Sequence, residues 1–207
     1  MVSSPLPKIS FSLVLSCIML MTFLMGCGSD TGTAEWQSIT RDQFTMTIDK
    51  RFAPADISSL INPSLRQSII QAYSIPSPSS DFFEKNIIIS REWWSPSLDL
   101  AQYANDVSNA IQQTWWWYTL DTLSDTSFVC WETEVPLFHH EFSLTRGDIS
   151  STWSQTLFFL QYIFESEKML YIVSASTDDE NDIAAFQWYM DSLACVDMLW
   201  TGEINQS

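Results

Sequence analysis

Apolar and polar residues follow one another along four segments of the chain in patterns that are typical of β-strands. Residues 44–48 alternate between apolar and polar side chains, as expected for a strand with one buried face. Residues 86–90 are rich in β-branched side chains, and residues 157–164 are almost continuously apolar, as in strands covered on both faces. Residues 169–175 follow after a short polar stretch, so the last two segments are predicted to form an antiparallel hairpin.

Two other segments repeat apolar residues at steps of three and four, which is the spacing of one helix face. The first stripe runs through residues 100–111, and its helix is predicted to start within residues 95–97. The second stripe runs through residues 183–193 and follows residues 177–180, whose spacing predicts a capping box. Both helices are amphipathic and are expected to lie on a sheet.

The other segments complete one predicted domain from about residue 36 to 200, followed by a tail over residues 201–207. Residues 58–71 predict a short helix broken at Pro63, and the composition of residues 74–80 predicts a loop. The pattern therefore indicates an α+β fold with a mostly antiparallel central sheet and helices packed on it.

This order of elements resembles the PsbP-like fold of photosystem II extrinsic subunits, which also occurs in a Ran-binding protein family and in many small bacterial lipoproteins. Residues 44–52, residues 86–93 leading to 97–104, and residues 157–193 carry the resemblance. It rests on the pattern of elements and not on a signature motif. The resemblance implies an α/β/α sandwich, in which helices flank the sheet, and a shared fold does not by itself carry a function.

The first 26 residues have the outline of a signal peptide. Lys8 is their only charge, and the apolar run after it is about fifteen residues long, which is short for a hydrocarbon core of about 30 Å. The run ends in Leu24-Met25-Gly26-Cys27, which resembles the lipobox of bacterial lipoproteins. The resemblance implies cleavage before Cys27 and lipidation of that residue. An ordinary signal peptide, with Cys27 incidental, is the alternative.

A lipid on Cys27 predicts an extracytoplasmic protein anchored to the cell membrane or the outer membrane, with residues 27–35 as a flexible tether. The chain has 25 acidic and 9 basic residues, a formal net charge of −16. Such a surface repels nucleic-acid phosphates and anionic lipid headgroups. Nucleic-acid binding is therefore disfavoured, and the lipid rather than electrostatics must hold the protein on its membrane.

Cys130 and Cys195 are the cysteines of the predicted domain. In an exported protein two such thiols favour a disulfide, and two separate buried thiols are the alternative. No Cys-x-x-Cys spacing supports a zinc site, so neither a metal nor a cofactor is predicted.

His139, His140 and Glu141 suggest metal binding or catalysis, but adjacent side chains of a strand point to opposite faces, so the imidazoles cannot readily share an ion. A relay from Cys130 through one histidine to Asp148 would need an electropositive setting that the sequence does not indicate. The acidic residues 178–182 lack the glycine and the closing glutamate of an EF-hand, which leaves helix capping as their predicted role.

The tryptophans are the most unusual feature of the composition, with Trp115, Trp116 and Trp117 in succession before Tyr118. If residues 115–120 form a strand, Trp115 and Trp117 face one way and Trp116 the other. One face can fill the core while the other offers a binding surface for sugars or proteins. A run that is core throughout is the alternative.

These features favour a non-enzymatic, membrane-tethered domain that binds another component of the cell envelope, above all a protein. The alternative is binding of a glycan or another small ligand through exposed tryptophans, and the third interpretation is a hydrolase. The sequence names neither the partner nor the membrane.

The lipid anchor gives the first prediction. Labelled palmitate should enter the wild-type protein in expressing cells and should not enter Cys27→Ala, because the acyl chains need that cysteine. Cys17→Ala, which changes a cysteine inside the signal segment, is the matched control and should keep its label. Equal labelling of wild type and Cys27→Ala would contradict the anchor.

Overall fold

The computed structural model describes residues 35–57, 67–75, 85–93, 99–114, 117–130, 132–147 and 154–196. The elements are β1 (Trp36–Arg41), β2 (Phe44–Asp49), β3 (Ala53–Pro54), β4 (Ile69–Ser74), β5 (Asn86–Trp93), α1 (Leu100–Thr114), β6 (Tyr118–Cys130), β7 (Thr133–Gly147), β8 (Ser154–Ser166), β9 (Met169–Thr177), a 3-10 turn (Glu180–Asp182), α2 (Ile183–Asp191) and β10 (Ala194–Cys195). Among these residues no helix is both long enough and apolar enough to cross a membrane.

The strands form two sheets. The larger has seven strands in the order β3-β4-β5-β9-β8-β7-β6, and the smaller has the order β1-β2-β10. All of their pairings are antiparallel, which confirms the predicted character of the sheet. The predicted hairpin is β8–β9, and it closes through Glu167 and Lys168, both with positive φ (49° and 64°), as a two-residue hairpin turn requires.

The middle strands of the larger sheet are buried on both faces. In β5, Ile87 and Ile89 point into one core and Ile88 into the other. The β-branched and continuously apolar segments therefore lie where the sequence pattern predicts, in strands without a solvent-facing side.

One face of the larger sheet is covered by α1. Tyr103, Ala104, Val107 and Ile111 are buried there against side chains of the sheet such as Phe142. The stripe of residues 100–111 thus packs on a sheet as expected from its spacing.

The other face is covered by the small sheet together with α2, which corrects the expectation of an α/β/α sandwich. Phe44, Met46 and Ile48 of β2 are buried in this second core beside Phe186 and Met190 of α2. The physical reason is the period-2 pattern of β2, because only a strand presents every second residue to one face. The α+β class and the antiparallel sheet hold, whereas the second face is covered by a three-stranded sheet as well as by α2, so that helices alone do not flank the larger sheet.

The start of the first helix is set by a local cap. The first helix begins at Leu100, where Asp99 Oδ1 accepts hydrogen bonds from the backbone N–H groups of Ala101 (2.8 Å) and Gln102 (3.3 Å). Asp99 is thus the capping side chain, and the predicted start within 95–97 lies outside the described residues.

The predicted helix over residues 58–71 is wrong at its end, because Ile69 begins β4. Its earlier residues lie largely outside the described part, as do residues 76–80 of the predicted loop, and Ser74 belongs to β4. Burial explains this outcome, since Ala72 and Tyr73 each pack into a core.

The predicted capping box does not form. Thr177 Oγ1 accepts from the Asp179 backbone N–H (3.0 Å) and donates to Asp182 Oδ2 (2.7 Å). Asp179 then caps the 3-10 turn by accepting from the Asn181 N–H (3.0 Å). Because this turn is inserted, α2 starts only at Ile183, and the acidic segment still serves as a capping region.

A disulfide joins the two sheets. Cys130 ends β6 in the larger sheet and Cys195 ends β10 in the smaller one, with Cα atoms 5.0 Å apart and an S–S bond of 1.97 Å. The bond links β6, an edge strand of the larger sheet, to the small sheet that covers one face of the larger sheet.

The second prediction concerns this bond. Without reduction, alkylation followed by mass spectrometry should leave Cys130 and Cys195 unmodified, and reduction should make both reactive. Opening a cross-link between residues separated by 65 positions should lower the free energy of unfolding by about 4 kcal/mol in denaturant titrations. Two alkylated thiols in the unreduced protein would refute the bridge.

Candidate functional site

The strand β6 forms one edge of the larger sheet. It is 13 residues long, and within the described ranges no strand pairs with its outer side. The opposite edge, β3, has only two residues and contains Pro54, which cannot donate to a further strand. The two edges therefore differ, because β3 is blunted and β6 offers a long row of backbone groups.

Exposed apolar side chains concentrate at β6. Trp117 lies in the turn before the strand, Leu120 lies near its start, and Val129 near its end is 65% exposed. We call these three residues and the outer side of the strand between them the β6 edge. A long edge strand with unpaired backbone N–H and C=O groups is a template for pairing with another chain.

Two features limit unspecific pairing at the β6 edge. Asp121 and Asp125 are exposed on the strand, and the register with β7 shifts between Leu120 and Thr122. Charges and bulges on an edge strand disfavour self-association. The edge can thus be accessible without being an open aggregation site.

The predicted aromatic strand is only partly described. Trp115 and Trp116 lie outside the described residues, and β6 begins at Tyr118, so the prediction of a strand over 115–120 is wrong at Trp117. Trp117 is half exposed, and its backbone carbonyl accepts from the Thr145 N–H (3.1 Å). Tyr118 points inward, with its ring 5.6 Å from that of Phe142.

The two histidines point to opposite faces of β7, as the strand argument predicts. His139 packs edge-on against Tyr162 in the direction of α2, and His140 is completely buried on the α1 side. No group of three or more potential metal ligands is present in the part of the chain that the structure describes.

His140 is the middle of a buried chain of hydrogen bonds that sequence analysis missed. Ser108 Oγ lies 2.6 Å from the Tyr118 hydroxyl, which lies 3.2 Å from His140 Nε2. On the other side, His140 Nδ1 lies 3.2 Å from Gln161 Oε1, and Gln161 Nε2 donates to Ser174 Oγ (3.0 Å). We call these five residues the buried polar chain.

The direction of each hydrogen bond in the buried polar chain follows from Gln161. Its carbonyl oxygen can only accept, so His140 Nδ1 carries the proton and Nε2 accepts from the Tyr118 hydroxyl. The Tyr118 oxygen then accepts from Ser108. Burial lowers the pKa of His140 from 6.5 to about 4, with a smaller contribution from the neighbouring His139, so the imidazole is neutral at pH 7.

These contacts give no support to the catalytic relay. Cys130 is bonded to Cys195 and offers no thiolate, and Asp148 lies outside the described residues. The buried polar chain contains no carboxylate that could orient His140 as a base, and its serines, Ser108 and Ser174, are both buried. Its arrangement suits a structural role.

Glu92 is a further titratable group that the sequence pattern did not single out. It lies on β5 opposite Leu170, and burial raises its pKa from 4.5 to about 7. Its Oε1 atom is buried without a hydrogen-bond partner among the described residues. The signal in the sequence is an acid two residues beyond the β-branched run of residues 86–90, within the same strand β5.

The acidic residues after β9 contact other groups of the fold. Asp182 pairs with Lys85 (Nζ–Oδ2, 2.7 Å) as well as with Thr177, and Asp179 serves as a cap. These two carboxylates are therefore used within the fold, in an ion pair and in a cap.

Comparison with known proteins shows the fold. No family model and no curated protein matches the chain. The solution structure of cyanobacterial PsbP (CyanoP) from Synechocystis sp. PCC 6803 is similar, with a TM-score of 0.56, 12% sequence identity, and coverage of 83% of this chain and 98% of that chain. The Ran-binding protein Mog1p of Saccharomyces cerevisiae follows with a TM-score of 0.47 and 10% identity, over 78% and 95% of the two chains. The likeness to PsbP is one of fold alone.

The third prediction concerns the protonation of His140. In nitrogen-15 NMR spectra its imidazole should show a protonated Nδ1, and its shifts should stay constant from pH 8 to about pH 5, because the pKa is about 4. The stability that it contributes is complete above its unfolded pKa of 6.5 and is lost as the pH falls through 4.

The pH dependence of the total free energy of unfolding would not resolve the contribution of His140. Glu92, with its raised pKa, has the opposite sign, since its contribution is complete below pH 4.5 and is lost as the pH rises through 7. The site-resolved spectrum separates the two groups. Titration of His140 near pH 6.5, or a protonated Nε2, would contradict the buried polar chain as described.

Proposed function

We propose that this protein is a lipid-anchored, extracytoplasmic binding domain without enzymatic activity, and that its partner is another protein of the cell envelope. The single observation that carries the proposal is the β6 edge, where the outer side of a long strand has no strand partner among the described residues and Trp117, Leu120 and Val129 are exposed. The anchor rests on Cys27 and its lipobox-like context.

A protein partner suits this edge better than a small molecule. A strand edge offers alternating N–H and C=O groups, and an extended polypeptide satisfies both when it adds as a further strand. Leu120 and Val129 would then give side-chain contacts near the two ends of the added strand. Asp121 and Asp125 favour a partner segment that is neutral or basic.

Glycan binding is the second candidate function, and Trp117 is the observation that favours it. Half of its surface is exposed, and an exposed indole stacks on the apolar face of a sugar ring. A hydrolase has less support, because Cys130 is in a disulfide and the histidine that forms a polar chain is buried.

The fourth prediction tests the β6 edge directly. A photo-crosslinking residue in place of Thr126, which is exposed on β6, should capture a discrete envelope protein in intact cells. The same residue in place of Thr40, which is exposed on β1, is the positional control and should not. Leu120→Lys with Val129→Lys should abolish capture, because two charges oppose strand addition.

The matched control for the lysine variants is Trp93→Lys, which changes an 85% exposed apolar residue on another strand and should leave capture intact. All three positions are exposed, so each substitution should change the free energy of unfolding by only about 0.5 kcal/mol. Capture that survives Leu120→Lys with Val129→Lys would rule out the β6 edge. Glycan-dependent quenching that is lost in Trp117→Phe would instead favour the second function.

A further inference from the structure

A second apolar surface lies on the layer that covers the larger sheet. Trp36 of β1 and Trp188 of α2 are 46% and 47% exposed, and their ring centroids lie 4.4 Å apart. Ala184 and Ala185 lie one turn before Trp188 on the helix and are also exposed. We call these four residues the Trp36–Trp188 patch.

The patch is unusual because the solvent-facing side of a surface helix is normally polar. In α2 the exposed residues before Asp191 are Ala184, Ala185 and Trp188, none of which carries a charge. Packing within the domain leaves about half of each indole in water, although Trp36 and Trp188 both contact Tyr189. The exposed apolar area thus points to an external contact.

The charges next to Trp36 compensate one another. Next to Trp36, Lys50 pairs with Glu35 (3.0 Å) and Arg51 pairs with Asp49 (2.6 Å). Asp49 lies directly opposite Trp36 in the β1–β2 register. These two pairs leave the Trp36 side of the patch without excess charge in a chain whose net charge is −16, whereas Asp191 and Glu180 are exposed acids at the two ends of the α2 side. A zwitterionic lipid surface carries no net charge and therefore does not strongly repel these acids.

The position of Trp36 in the chain identifies the occupant. Eight residues separate it from Cys27, and eight or nine residues span at most about 30 Å when fully extended. If Cys27 carries the lipid, the β1 end of the domain is held within that distance of the membrane. Indole rings favour the interface between headgroups and acyl chains, because they combine an apolar body with a polar N–H group.

We propose that the Trp36–Trp188 patch lies in the headgroup region of the membrane to which Cys27 is anchored and thereby fixes the orientation of the domain. This inference rests on the lipid anchor of the proposed function. It adds a defined contact surface, with a zwitterionic lipid headgroup layer as its partner and Ala184 and Ala185 of α2 lying on the bilayer.

The fifth prediction uses the lipidated protein reconstituted into vesicles of phosphatidylcholine that contains brominated acyl chains. Bromine quenches tryptophan only at short range, so the wild type should be quenched, and Trp36→Phe with Trp188→Phe should lose that quenching. Trp93→Phe removes an 85% exposed indole elsewhere and is the control that should keep it. Thermal melts of each variant verify that the fold is intact.

An independent probe avoids replacing the tryptophans. A spin label on Ala185→Cys should become accessible to oxygen and protected from a nickel chelate in the vesicles. The same label on Thr119→Cys, which is exposed at β6, should remain accessible to the chelate. In protein that lacks the lipid on Cys27, measured without vesicles and without detergent, both labels should be equally accessible to the chelate.

The outcomes separate this inference from the proposed function. Protein that floats with the vesicles but shows equal quenching in wild type and the double variant, together with an accessible label at Ala185, would overturn the inference and leave the anchor in place. Protein without lipid on Cys27 would overturn both. Quenching by a soluble glycan, or self-association that the double phenylalanine variant abolishes, would assign the patch to a sugar or to a second copy.

Discussion

The burial of β5, β9 and β8 on both faces is the constraint on which the rest of the structure depends. These strands lie side by side in the larger sheet, and their apolar residues project into both cores. Leaving one such side chain in water would cost about 1.5–3 kcal/mol, so each face needs a cover. A single layer can cover only one face. The chain therefore supplies α1 for one side and the small sheet with α2 for the other.

The same constraint explains the buried polar chain. Strand alternation sends Gln161 and Ser174 into the core beneath α1, where an unpaired amide would cost about 1–3 kcal/mol. They are tolerated because hydrogen bonds connect them through His140 to Tyr118 and Ser108. A shift of β8 by one residue would move Gln161 to the other core and break this set, so the polar groups also specify the register.

Local patterns predicted the parts of the fold that depend on one segment at a time. The β8–β9 hairpin, the buried strand β5 and the helix stripe of α1 all follow from periodicity. Periodicity could not predict which layer β2 would join, because its alternating pattern fits any half-buried strand. Nor could it identify Ile69 as a strand start, since that depends on pairing with Ser90, which is distant in the chain. The Asp99 cap, by contrast, is a local signal that periodicity alone does not read, because Asp99 accepts from the N–H group of Ala101, two residues away.

The candidate sites were harder to predict for the same reason. Trp117 was singled out by the tryptophan run, but Leu120 and Val129 are ordinary strand residues until β6 is known to be an edge. Trp36 and Trp188 lie far apart in sequence and meet only because β1 and α2 belong to one covering layer. The residue types of each surface can be read from the sequence, whereas the topology of the fold decides which of these residues meet.

The covering layer links the two proposed surfaces. It carries Trp36 and Trp188, and through Cys195 it is bonded to Cys130 at the end of β6. Val129, at one end of the β6 edge, is therefore next to a covalent joint with the layer proposed to face the membrane. If the membrane holds that layer through Trp36 and Trp188, the disulfide restrains β6 to a fixed orientation relative to the membrane. A tether alone could set only the distance from the bilayer, so the joint gives a physical reason for a membrane-oriented binding edge in this fold.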